Sequence, residues 1–478
     1  MRENRRFRFG VDVLERSGNA IRARRASFFL DLPADVDTNY NEKKPATRTI
    51  CSPRLRMRAW RHRQEDTPAM GGDHMQSKFD VGGLLLDRPF RVRRLGHFGF
   101  NVSDMATARH FYCDLLGFSI SDPIDFANFF PNLANHPEID ETVGYFCRHG
   151  TDHHSFVVFP RPALDAGTGR PSDSEDTINQ ITWQVGSLQE VVDATRWLEG
   201  HDIEFARVGR DMPGSNWHVY PFDPEGHVNE LYYGIEQIGW HGRSKPTEMA
   251  DRQFFEPPGL PQVSERQEIH DAAAAGVKLE NGYRHEWENN TTYDVGGVLL
   301  PRPFKIVRIG PVRLFVDDMD EATEFYSGRL GLLETEHVTY QGHRCVFLRA
   351  NTEHHSMALY PMALRETLGL SVHTNCMAFG VQLADYAQLQ AAITYLDNNG
   401  VTVRRLPPEL FPGIDYSAFA IDPDGHAIQL YYAMEQIGWD GQPRPADARR
   451  VVDNDNWPVS LEANSDTYGG EAYLGPWG

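Results

Sequence analysis

His97, Gln180 and Glu230 stand in three short stretches of this 478-residue chain in which apolar residues alternate with others. Side chains at i, i+2 and i+4 of a strand share a face. In Leu95–Val102 the apolar set Phe98, Phe100 and Val102 leaves His97, Gly99 and Asn101 on the opposite face. In the stretch from Ile178, the set Ile181, Trp183 and Val185 leaves Gln180, Thr182 and Gln184 opposite. Glu230 shares a face with Val228 and Tyr232. His97, Gln180 and Glu230 can therefore converge on one point, with His154 of a fourth strand nearby. Imidazole and carboxylate donors that leave positions open are the kind of set that holds a non-haem divalent metal such as Fe(II). A buried glutamate without a partner is costly, so its presence on an inward face asks for a cation or a proton. His218 lies two residues before Tyr220, on the same face of its strand.

The elements that must position these residues recur along the chain. FDVGGLLLDRPFRVRRLGHFGFNVSDM (Phe79 to Met105) matches YDVGGVLLPRPFKIVRIGPVRLFVDDM (Tyr293 to Met319), and TDHHSFVVFP matches TEHHSMALYP. DPEGHVNELYYGIEQIGW (Asp223 to Trp240) matches DPDGHAIQLYYAMEQIGW (Asp422 to Trp439). The repeats predict two domains, 79–245 and 293–445, joined by a polar linker over 246–292 and followed by a tail over 446–478. Within the first domain, strands over Leu95–Val102, Phe118–Ser121, Gly144–Arg148 and His154–Phe159 frame a helix over Met105–Leu116. Ser103 or Asp104 caps that helix and Gly117 stops it. The order recurs with strands over Ile178–Val185, Ile203–Val208, Trp217–Phe222 and Val228–Tyr233 and a helix over Leu188–Leu198, capped by Ser187 and stopped by Gly200. The expected fold class is α+β: two tandem domains of paired βαβββ modules, each a curved, cup-shaped mixed sheet with helices outside.

Tandem βαβββ modules, a histidine in the first strand, HHS at the fourth, and Tyr220, Asp223, Pro224, Gly226 and Glu230 in the last hairpin resemble the vicinal-oxygen-chelate superfamily. Within it the pattern is most similar to type I extradiol ring-cleavage dioxygenases. The resemblance implies a metal held by His97 and Glu230, with Gln180 at the position of the family's second histidine. It gives His154 the place of the acid/base histidine and Tyr220 that of the tyrosine on the substrate hydroxyl. Asp211 stands where the family has a further histidine, and His218 is positioned to replace part of its function. The implied activity is cleavage of a catechol-like diol by O2, with Fe(II), Mn(II) or another divalent cation. A glyoxalase-like lyase or isomerase, with His154 as a fourth ligand, and a non-catalytic small-molecule binding protein are the alternatives.

The second cup lacks the donor set. Pro311 takes the position of His97, Cys376 is read at that of Gln180, and Gln429 replaces Glu230. Its same-face neighbours are expected to be Ala378, Gly380, Met357 and Leu359, with His355 retained. No carboxylate remains to balance a divalent cation, so this domain reads as a structural or substrate-shaping partner. The first domain carries an aromatic, proline-punctuated insertion, SDPIDFANFFPNLANHPEIDETVG, expected to be a wall or lid, a surface excursion or a dimer contact. EQIGW, present in both copies, is expected to anchor the chain after the last strand. Asp-Pro-x-Gly-His is expected to be a hairpin turn.

A net charge of −20 argues against a general nucleic-acid binder. No apolar run approaches the ~20 residues of a membrane-spanning helix. The five cysteines form no CxxC pair, which fits a reducing cytoplasm. Residues 1–75 are arginine-rich, with 16 Lys+Arg against 10 Asp+Glu, and read as a basic disordered tail or an upstream extension. The edges of the curved sheets are compatible with a homo-oligomer.

Overall fold

The computed structural model describes residues 78–461 apart from 134–135, 170–173, 211–212, 251–252 and 288–290, and the backbone of Arg5–Ser17 and Ala20–Leu32. Those two segments, within the stretch expected as a disordered tail, pair as an antiparallel hairpin. Asp211, Cys51 and most of the expected C-terminal tail lie outside the described residues.

Two mixed sheets dominate. The first contains β1 (Arg94–Val102), β2 (Ser119–Asp125), β3 (Val143–Arg148), β4 (Phe156–Pro160), β5 (Ile178–Gln184), β6 (Phe205–Arg210), β7 (His218–Pro221), β8 (Asn229–Tyr232) and β9 (Gln253–Phe254). Their order is β9-β6-β7-β8-β5-β1-β4-β3-β2. The edge strand β9 comes from the stretch read as linker. The second sheet contains β10 (Ile306–Val316), β11 (Leu333–Tyr340), β12 (His343–Arg349), β13 (Met357–Pro361), β14 (Cys376–Leu383), β15 (Val403–Arg404), β16 (Ser417–Ile421) and β17 (Ala427–Tyr431). Their order, β11-β12-β13-β10-β14-β17-β16-β15, repeats the first without the extra edge. In each, the leading strands of the two modules pair antiparallel at the centre, and the last strand of each module adds in parallel beside its own leader. This is the expected α+β architecture of paired βαβββ modules.

The helices follow their caps. α1 (Met105–Arg109) starts where the Asp104 carboxylate accepts the Thr107 N–H at 2.7 Å. It then widens into a π-helix over His110–Leu115, where α-helix is expected throughout. α2 (Leu188–Glu199) is capped by Ser187 and buries Leu188, Val191, Ala194 and Leu198. The second domain repeats the widening, with α3 (Met319–Thr323) running into a π-helix over Glu324–Arg329.

The two wide turns carry Tyr112 and Tyr326. The Tyr112 hydroxyl donates to Asp422 at 2.7 Å, and that of Tyr326 donates to Asp223 at 2.7 Å. Each Asp-Pro-x-Gly-His turn is therefore bonded to the other domain, a role beyond that of a hairpin. Phe98 stacks on Phe379 with centroids 4.5 Å apart, and Phe100 on His426 at 3.9 Å. One apolar core thus runs continuously between the sheets. Smaller clusters lie on the cup side of each domain. In the first, Phe126, Phe130 and Leu133 of the insertion pack with Phe146, Val157 and Phe159, so the insertion walls the cup. No helix among the described residues is long and apolar enough to cross a membrane.

Candidate metal centre

Strand register assembles the site. His97 on β1 pairs with Thr182 on β5, and Thr182 pairs with Glu230 on β8, so the three share one rung. Gln180 lies beside Gly99, two residues along β5. His218 pairs with Tyr232, and Phe222 bridges to Val228, which sets Tyr220 opposite Glu230. The structure therefore brings His97, Gln180 and Glu230 together, the three that strand alternation sets on inward faces, and adds His218 and Tyr220 beside them.

Glu230 is the hub. It is 1% exposed, and Thr182, His218 and His97 around it are 0–2% exposed. Its Oε2 lies 3.0 Å from His97 Nε2 and accepts from Thr182 Oγ1 at 3.0 Å and Gln180 Nε2 at 3.4 Å. Its Oε1 lies 3.3 Å from His218 Nδ1. Burial alone would raise the Glu230 carboxyl; His97, by charge and hydrogen bond, then His218 and Arg207 outweigh it and hold the group below the ordinary carboxylate range. His97 Nδ1 is buried without a hydrogen-bond partner. The His218 ring lies 4.6 Å from that of Tyr220, and the Arg207 guanidinium sits over the Tyr220 ring, 4.2 Å from its centroid.

His154 completes the cup. Its ring centroid is 4.3 Å from that of His97 and 4.8 Å from that of Phe146. Burial first, then His97, His153 and His218, keep the imidazole neutral, well below its ordinary pKa. Behind it, His153 and Asp122 form a buried chain that the sequence did not reveal. Gly214, at φ +71°, lies so close to His153 that a Cβ there would stand 2.2 Å from the ring. EQIGW holds the same segment: Glu236 C=O accepts from His153 N–H at 2.8 Å, and Ile238 N–H donates to Thr151 C=O at 2.6 Å. Its tryptophan takes no part, since Trp240 and its counterpart Trp439 are fully exposed.

A divalent ion with nitrogen and oxygen ligands at about 2.1 Å sets adjacent donors about 3 Å apart. The 3.0 and 3.3 Å separations of His97 Nε2 and His218 Nδ1 from the Glu230 oxygens match that spacing, and Gln180, whose Nε2 lies 3.4 Å from Glu230, would ligate through its amide oxygen, so these residues fit a metal. A second cluster of ligand-type side chains, Asp422, Asp424 and His426, has one donor atom each within 4.8 Å of the others. Each of the three already has hydrogen-bond partners. Asp422 Oδ2 accepts from Tyr112 and lies 2.9 Å from His426 Nδ1, and His426 Nε2 lies 2.9 Å from Thr177 Oγ1. Asp424 accepts from Ser103 of the first domain. The cluster is a clamp between domains.

The second cup is stripped and refilled. Gly380 and Gln429 occupy the rung of Thr182 and Glu230. Ala378, paired with Arg313, holds the place of Gln180; the expectation of Cys376 there is off by two residues. Met357 and Leu359 point into the shared core, against expectation, while Ala358 and Tyr360 face the cup. The space is taken by the Arg313 side chain, fully buried and 2.9 Å from His355 Nε2.

No curated protein matches the chain. Among solved structures, it is similar to a Mn(II)-bound glyoxalase from Novosphingobium aromaticivorans (14% identity, 73% of this chain and 85% of that one, TM-score 0.45). It is also similar to homoprotocatechuate 2,3-dioxygenase from Arthrobacter globiformis (16%, 75% and 85%, TM-score 0.46) and to a catechol 2,3-dioxygenase (17%, 80% and 99%, TM-score 0.45). Likeness at this level says nothing about shared chemistry. The model of one family matches residues 94–231 and 308–430, more than half of the chain and the core of both sheets. The chain belongs to the Glyoxalase/Bleomycin resistance protein/Dioxygenase superfamily.

Proposed function

We propose that this protein is a cytoplasmic, metal-dependent dioxygenase of the extradiol type, acting on a catechol-like diol in the first cup. The observation that carries the reading is Glu230: a fully buried carboxylate flanked by His97 and His218, kept in one cup and replaced by Gln429 in the other. His97, Glu230 and Gln180 would hold Fe(II) or Mn(II). When bound, such an ion supplies Lewis-acid charge and a meeting point for the diol and O2. His154, neutral and walled by Phe146, accepts a proton from the diol hydroxyl. Tyr220 and His218, two residues apart on one face of β7, orient the substrate oxygen on the far side of Glu230. The insertion's Phe126, Phe130 and Leu133 exclude water from that end of the cup. The described cysteines are free and buried, in keeping with a reducing compartment.

A second reading is favoured by the 4.3 Å approach of His154 to His97, which would let His154 act as a fourth ligand, as in a glyoxalase-like lyase or isomerase. Oxygen consumption separates the two. Protein loaded anaerobically with Fe(II) or Mn(II) and given a panel of catechols should consume O2 stoichiometrically with ring opening. A metal-loaded protein that leaves every catechol intact contradicts the dioxygenase reading.

A further inference from the structure

The buried chain behind His154 determines which nitrogen of that ring faces the cup. His154 Nδ1 lies 3.0 Å from His153 Nδ1, and His153 Nε2 lies 2.6 Å from Asp122 Oδ2. Asp122, His153 and His154 are all at most 8% exposed. An ionised carboxylate only accepts, so the hydrogen between Asp122 and His153 belongs to His153 Nε2. A singly protonated His153, its hydrogen on Nε2, has a lone pair at Nδ1. The hydrogen between the two Nδ1 atoms then belongs to His154, and His154 Nε2 is left bare.

The second domain contains the same chain with its direction fixed by an independent group. Arg313 can only donate, and its Nη2 lies 2.9 Å from His355 Nε2. His355 Nδ1 must then donate to His354 Nδ1 at 3.0 Å, and His354 Nε2 to Glu336 at 2.7 Å. The two chains agree in spacing and in the glycine behind the second ring, Gly214 against His153 and Gly413 against His354. They differ at the cup end. Arg313 pairs with Ala358, and the residue that pairs with the matching Val157 is Gly99, which sends no side chain toward His154.

We propose that Asp122 and His153 are positioning residues that hold His154 as the Nδ1–H tautomer, so that the first cup is offered the bare Nε2 of His154. The catalytic consequence rests on the dioxygenase reading above: His154 begins turnover as a proton acceptor. The tautomer itself does not depend on that reading.

Nitrogen-15 NMR of the full-length, metal-free protein labelled at histidine tests this directly. His154 should show a protonated Nδ1 and an unprotonated Nε2 at neutral pH. Asp122→Asn, whose amide can donate to His153 Nε2 as well as accept from it, should relax the preference and admit the Nε2–H form of His154. Asp122→Glu should retain the wild-type pattern. A wild-type or Asp122→Glu His154 found as the Nε2–H form overturns the proposal; the wild-type spectrum decides even where a variant fails to fold. In metal-loaded enzyme, Asp122→Asn should lower kcat about 10²- to 10⁴-fold with KM for the diol little changed. If no catechol turns over but the tautomer is as stated, the dioxygenase reading fails and the positioning role stands. If catechols turn over and the tautomer is reversed, the positioning role fails alone.

Discussion

Replacing Thr182 by valine removes one hydroxyl from the rung that joins His97 to Glu230 and leaves the shape of the side chain. Thr182 is fully buried, and its Oγ1 donates to Glu230 Oε2 at 3.0 Å. A hydrogen bond to a charged group is worth roughly 1.5–3 kcal/mol. Without it, the carboxylate keeps His97, His218 and the more distant Gln180 amide as partners and loses its hydroxyl donor. At 1.4 kcal/mol per tenfold, metal affinity should fall about 10- to 100-fold. Loss of a group that orients a ligand typically weakens metal binding by about the same factor. Anaerobic calorimetric titration with Mn(II), which resists oxidation, measures this for wild type and Thr182→Val side by side. Affinity equal to wild type or tighter, in a variant with unchanged circular dichroism, would refute the claim that Thr182 holds Glu230 for a metal.

Three further predictions follow from the same geometry. Gln180→His should raise affinity for Zn(II) relative to Mn(II) by about tenfold, because imidazole suits the later metals and a carbonyl oxygen the harder ones; competition titration would show the shift, and an unchanged ratio would remove Gln180 from the ligand set. Phe98→Ala opens a cavity under the Phe379 stack and should cost about 3–5 kcal/mol, moving a single denaturant transition. Two transitions with one unmoved would show that the domains do not share a cooperative core. His154 is held neutral in the fold, so below about pH 6.5 the unfolded chain binds a proton that the folded one refuses. Metal-free protein should therefore lose about 1.4 kcal/mol per pH unit on this account as pH falls, and His154→Gln should show a shallower fall; parallel curves would contradict it.

The inward faces of β1, β5 and β8 were legible because a strand alternates strictly and each stretch buries bulky apolar residues on its other face. That placed His97, Gln180 and Glu230 in one cup. What was hidden depends on pairing. Thr182 was visible as an inward residue, but only register shows that it stands on the rung between His97 and Glu230. Asp122 sits beside Pro123 in a stretch that reads as loop; Pro123 is accommodated because β2 is the edge strand, where a missing N–H costs little. β2 also carries an irregularity between Ile120 and Asp122 that breaks simple alternation. Counting along the chain set Cys376 rather than Ala378 at Gln180's place, and only the pairing of Ala378 with Arg313 shows the offset of two. The π-turns of Tyr112 and Tyr326 leave no periodic mark in so short a helix, yet their hydroxyls link the domains. Arg313 lies between Val312 and Leu314 in a mainly apolar strand, and nothing in its neighbours announces that it fills the second cup.

The central claim is that Glu230 makes the first cup a metal site and that its loss empties the second. Metal content after anaerobic purification, for wild type and for Glu230→Gln, tests it with the change that the second domain already carries at Gln429. Removing one partner of a buried charged set costs about 3–5 kcal/mol, enough to weaken binding by a factor of hundreds to thousands. Wild type should hold about one Fe or Mn per chain and the variant close to none. Equal metal in both proteins, or none in either even after Fe(II) or Mn(II) is added, would contradict the account.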